Sequence, residues 1–168
     1  MRLMTRSLTT AAVMYTMAVS HASAQGAHAN FSGVWVLDAS KNVASGQLAV
    51  PTAATATIVQ HGDTITQDRE ASSAEIGVIK SHIVWGTDGK PWKNMVPVNG
   101  ESIEVSSVLS WENGSLVIRT SLSIQGTDVD QLDRWTLSAD GKSIVMYRSV
   151  SAMGSEVGAT TLTYTKNP

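Results

Sequence analysis

From residue 31 onward the chain alternates. Apolar and β-branched residues fall in runs of roughly seven to ten, separated by clusters of Gly, Asn, Asp and Ser. In one run Ile103, Val105, Leu109 and Trp111 share a face, opposed by Glu104, Ser106 and Ser110. In the next, Leu116, Ile118, Leu122 and Ile124 oppose Arg119, Ser121 and Ser123. A period of two places these sets on opposite faces of extended strands. Further runs lie at 31–38, 53–60, 64–70, 76–85, 131–138, 143–150 and 158–166. Glu112-Asn113-Gly114 and Ala139-Asp140-Gly141-Lys142 separate paired runs and predict tight hairpins, because Asn and Gly tolerate positive φ. The strongest helix candidate, Asp38 to Gly46, has room for one short turn. Lys41 to Ala53 and Lys90 to Gly100 read as long connections. The pattern predicts about nine strands joined mostly by short turns. Parallel pairing would need helical crossovers for which the chain has no room, so the expected fold is all-β, an antiparallel up-and-down meander. One apolar and one polar face per strand call for a single interior, and closing the sheet removes its exposed edges.

Residues 1–24 stand outside this grammar. Arg2 and Arg6 precede the uncharged, apolar stretch from Leu8 to Ser20, and Ala22-Ser23-Ala24 supplies the small residues of a cleavage site before Gln25. That order is expected of an export signal, and the stretch falls short of the roughly 20 residues of a transmembrane helix. Ala27-His28-Ala29 is a second possible cleavage point. The expectation is a signal peptide over 1–24 and one domain over 25–168, secreted or periplasmic, with no membrane span.

Charge and cysteine content narrow the function classes. Of 168 residues 15% are charged, the formal net charge is −2, and no basic run occurs, which argues against binding nucleic acid through its phosphates. Cysteine is absent, which excludes disulfides, thiolate metal sites, cysteine nucleophiles and a lipid-bearing cysteine.

Three segments resemble a known group in their order along the chain. Asn30-Phe31-Ser32-Gly33-Val34-Trp35-Val36-Leu37-Asp38 carries Gly-x-Trp on the first strand. Trp111 to Leu116 forms a Trp-x-x-Gly-x-Leu hairpin, and Arg134 to Lys142 reads Arg-Trp-x-Leu-Ser-x-Asp-Gly-Lys. Together they resemble the calycin β-barrels, the lipocalins and fatty-acid-binding-protein-like barrels, and more narrowly bacterial secreted lipocalin-like proteins. The resemblance implies a calycin-like barrel of about eight to ten strands around a cavity. It implies that Trp35 plugs the barrel base, and that an arginine late in the chain packs on the indole: Arg134 by its place, or else Arg148. It implies no reaction and no cofactor.

Five tryptophans, Trp35, Trp85, Trp92, Trp111 and Trp135, provide most of the aromatic surface beside one phenylalanine. Trp85 and Trp92 are expected near the barrel mouth, Trp92 in the Lys90–Lys93 loop. Trp85, Trp92, Trp111 and His82 are the candidate ligand-binding residues, for a small hydrophobic or amphipathic molecule. Core packing is the alternative role for each tryptophan. His61-Gly62-Asp63 puts two polar groups on one turn, but no metal-ligand spacing accompanies them, and no metal is expected. Asp68 and Glu70 share a strand face, either as paired carboxylates or as a solvated outer surface. No Gly-x-Ser-x-Gly elbow and no phosphate loop is present. Three functions remain: a carrier of a small molecule, an enzyme using polar residues at the barrel mouth, and a packed-core module that binds another protein through its loops. The sequence leaves catalysis and oligomeric state open.

Overall fold

The computed structural model describes residues 28–75, 77–98 and 100–168. The expected export signal lies outside the described residues. The expected alternation becomes one antiparallel sheet rolled into a barrel. Its strands are β1 (Gly33–Leu37), β2 (Val43–Gly46), β3 (Ala53–His61), β4 (Thr64–Ser73), β5 (Gly77–Gly86), β6 (Trp92–Val98), β7 (Glu101–Glu112), β8 (Ser115–Ile124), β9 (Thr127–Leu137), β10 (Ser143–Ala152) and β11 (Ser155–Lys166). Around the barrel the order is β5-β4-β3-β1-β11-β10-β9-β8-β7-β6, and β2 pairs with β11 off this path. Every pairing is antiparallel, and β1 joins β3 to β11 through Trp35↔Ala56 and Trp35↔Lys166.

Two segments differ from the sequence expectation. Asp38 to Gly46 holds its one short turn as a 3-10 turn at Ala39–Lys41, but the short strand β2 then occupies part of the expected Lys41 to Ala53 connection. The Lys90 to Gly100 connection contains a full strand, β6, which Pro97 disguises. Proline lacks an N–H and is confined to strand edges. β6 is such an edge: it pairs with β7, and no β5–β6 ladder forms among the described residues.

The barrel has a closed and an open end. At the closed end Phe31 and Trp35 are fully buried with Ile58, Ile65, Leu109, Leu116, Ile118, Ile144 and Tyr164. Trp35 Nε1 donates to the Phe31 carbonyl at 2.8 Å, which ties the segment before β1 across the base. The cation over the Trp35 ring is Lys166, with Nζ 5.3 Å from the centroid. Arg134 instead donates to Glu112 Oε2 at 2.9 Å, and Arg148 turns into the barrel, so neither arginine fills the place expected of it. Gly33 permits the Lys166 contact, because a Cβ there would stand 2.7 Å from Lys166 Cε. No helix among the described residues is long and apolar enough to cross a membrane.

Candidate functional site

The inward faces of the strands enclose a cavity of about 470 Å³. Its deep end is apolar, walled by Ile83, Trp85, Trp135, Met146 and Leu162. Its mouth is apolar too, with Leu48, Ala49 and Pro51 from the β2–β3 connection facing Ile79, Val96, Val98, Val105, Leu122 and Val150. Between them runs a polar belt. Ser107 and Thr120, cross-strand partners on β7 and β8, share a hydrogen bond of 2.8 Å. Gln131 Nε2 donates to Asp133 Oδ2 at 2.6 Å. Asp133 faces Arg148 across the β9–β10 ladder, and Arg148 donates from Nε to Oδ1 at 2.7 Å and from Nη2 to Oδ2 at 3.2 Å. Arg69 and Ser81, partners on β4 and β5, continue the belt on the opposite wall.

The electrostatics of the belt centre on Arg148. Its side chain keeps 41% of its surface accessible, while Asp133 keeps 7%; because Arg148 lines the cavity, that surface faces the interior space. Burial works against the guanidinium charge, but the Asp133 carboxylate more than offsets it, so the Arg148 pKa lies above its ordinary value. The two-point contact makes the pair locally neutral. Trp85 Nε1 and Tyr164 Oη are buried without a hydrogen-bond partner among the described residues, and both residues line the cavity. Buried donors of this kind are costly unless something accepts from them.

The structure separates the four candidate ligand residues. Trp85 lines the cavity, but at its deep end instead of the mouth, and meets Trp135 edge to face at 5.6 Å. Trp92 is not on a loop. It opens β6 beside the closed end, with Nε1 3.4 Å from Asp88 Oδ1, and its indole lies over Gly86, where a Cβ would overlap the ring. Trp111 lies below the cavity, stacked on His28 at 4.4 Å and near Phe31 at 6.0 Å. His82 is on the outer face, its Nδ1 2.6 Å from Asp68 Oδ1. His61 is exposed as well, so neither barrel histidine reaches the mouth where enzyme chemistry would need it. Asp68 and Glu70 form the solvated outer face, paired to His82 and Lys80.

The belt residues carry a signature in the sequence that the tryptophans do not. On β4 the inward parity reads Ile65, Gln67, Arg69, Ala71; on β9, Leu137, Trp135, Asp133; on β10, Ile144, Met146, Arg148, Val150. A charged residue on the apolar parity of a strand points to a cavity wall, since a packed core rarely holds an unpaired charge.

No protein-family model matches the sequence, and no curated protein is significantly similar to it. Solved structures do share the fold. The wild-type fluorescent protein UnaG superposes with a TM-score of 0.53 at 15% identity, over 82% of this chain and 97% of that one. A Schistosoma mansoni fatty acid binding protein in complex with arachidonic acid gives 0.50 at 12% identity, over 82% and 96%. Secretory abundant heat soluble protein 4 from Ramazzottius varieornatus gives 0.51 at 9% identity, over 82% and 95%. At such identities the likeness is one of fold, and that fold is the antiparallel calycin-type barrel to which fatty-acid-binding proteins belong.

Proposed function

We propose that this protein is an exported carrier that holds one small apolar or amphipathic molecule inside its barrel. The observation that carries the reading is the cavity of about 470 Å³, apolar at its floor and mouth, within the size range of small-molecule sites. Such space weighs against a packed-core interaction module. The Schistosoma mansoni protein of the same fold is one in complex with arachidonic acid, which supports the lipid-like part of this range. Export rests on the pattern of residues 1–24.

Native mass spectrometry of the purified mature protein, with tryptophan fluorescence against a panel of lipids and aromatic compounds, tests the carrier reading. A one-to-one adduct and quenching of Trp85 and Trp135 are expected. Absence of any adduct together with absence of quenching across the panel overturns it. The intact mass of the chain recovered from a secreting host tests export separately, with a start at Gln25 expected.

A further inference from the structure

Among the described residues the cavity wall carries three charged side chains, Arg69, Asp133 and Arg148. Two of them cancel: Arg148 spends Nε and Nη2 on the two oxygens of Asp133. Arg69 has no such partner. Arg119 and Arg134 both bind Glu112, and Arg148 binds Asp133, whereas no ion pair or side-chain hydrogen bond to Arg69 forms among the described residues. Its surroundings explain this. On β4 it shares the inward parity of Ile65, Gln67 and Ala71, and its ladder partners are Ala56 on β3 and Ser81 on β5. The acids beside it in sequence, Asp68 and Glu70, point outward and are held by His82 and Lys80. Three strands, β3, β1 and β11, separate β4 from β10 in the sheet order, so Arg69 and the neutral pair stand on opposite walls.

We propose that Arg69, not Arg148, selects the charge of the ligand: the cavity takes an amphiphile bearing a single anionic group, seated on the β4 wall with its apolar part toward the floor. An unpaired guanidinium on an enclosed wall is both neutralised and held by two parallel hydrogen bonds only when an anionic oxygen pair meets it. Gln67 and Ser81 line the cavity beside it and offer further donors. Asp133 keeps Arg148 from acting as a second anchor. This assignment rests on the carrier reading and adds the position and sign of the head-group site.

The test compares dodecanoate, methyl dodecanoate and dodecanol as competitors for a cavity-bound fluorescent probe, at neutral pH and below their aggregation concentrations. The wild-type chain is expected to bind the acid about ten- to a hundredfold more tightly than the ester. Arg69→Gln should bring that ratio close to one by weakening the acid far more than the ester, and retained binding of the fluorescent probe shows that the barrel is intact. Arg69→Lys should keep the order, as should the paired change Arg148→Gln with Asp133→Asn. Equal affinity for acid and ester in the wild type, or a preference that survives Arg69→Gln and disappears with the paired change, overturns the assignment and leaves the carrier reading standing. Failure of all three compounds and of the probe to bind overturns both.

Discussion

The carboxamide of Asn94 forms two hydrogen bonds with the backbone of Val84: Val84 N donates to Oδ1 at 2.9 Å, and Nδ2 donates to the Val84 carbonyl at 2.9 Å. Val84 lies on β5 and Asn94 on β6, the two strands between which no ladder forms among the described residues. One side chain thus does at the seam what a backbone pair does elsewhere in the barrel. Nearby, the Trp92 indole at the start of β6 covers Gly86 at the end of β5. The seam is held beside the closed end by these contacts.

Asn94→Ala is therefore expected to lower unfolding stability by about 1–3 kcal/mol, because it leaves a backbone donor and acceptor without their partners. Urea unfolding gives the magnitude, and hydrogen exchange should show the Val84 amide exchanging faster. Protection at Val84 equal to that of the wild type would contradict the seam assignment. Gly86→Ala should displace Trp92 and loosen the same seam.

At the base, Lys166→Ala is expected to lower stability by about 0.5–1 kcal/mol through loss of the cation over Trp35. Trp35→Phe should cost more, since it removes the Nε1 bond to the Phe31 carbonyl as well as buried area. Denaturant midpoints rank the two. A larger loss for Lys166→Ala than for Trp35→Phe would show that the cation, not the indole, holds the base.

Inside the cavity, Asp133→Ala leaves Arg148 charged and uncompensated. Because Arg148 borders space that admits water, the expected loss is about 2 kcal/mol, below that for a pair buried in solid core. Replacing both residues by apolar ones should restore most of it. A double-mutant cycle measures the coupling, and additivity of the two single changes would show that the pair does not act as a unit.

On the outer face, His82→Ala should leave ligand affinity unchanged, since His82 touches Asp68 on the far side of the wall from the cavity. Probe titration of this variant checks the placement, and a severalfold loss of affinity would contradict it.

Glu112 bridges two arginines, and the hydrogen bond from Arg119, followed by that from Arg134, holds its carboxyl below the ordinary value of 4.5. The unfolded carboxyl takes up its proton first as pH falls. The Glu112 contribution is therefore complete above about pH 4.5 and disappears as pH drops through the lowered folded value. The stability difference between wild type and Glu112→Gln should shrink as pH goes from about 5 to 3, and should shrink with salt at neutral pH because the group is partly exposed. A difference that stays constant across that range would show that Glu112 is not ion-paired in solution.

Alternation along the chain determined which side chains face inward, for a local reason: an extended backbone sends neighbouring residues to opposite faces whatever lies around it. Ile65, Leu109, Leu116 and Ile144 were legible as core on that ground, and Asn113-Gly114 as a hairpin. The same rule marks Arg69, Asp133 and Arg148 as inward, although their polarity invites assignment to the surface. Register and closure decided the rest. Arg148 meets Asp133 only because of the offset at which β9 and β10 pair, and Arg134 meets Glu112 across β8 only because of the offsets of β7 with β8 and of β8 with β9. Lys166 reaches Trp35 because the ends of the chain become neighbours when β1 pairs with β11. Whether the interior is filled or hollow depends on barrel circumference, to which every strand contributes, and so only the assembled structure shows a cavity with, among the described residues, one cation on its wall that no acid pairs.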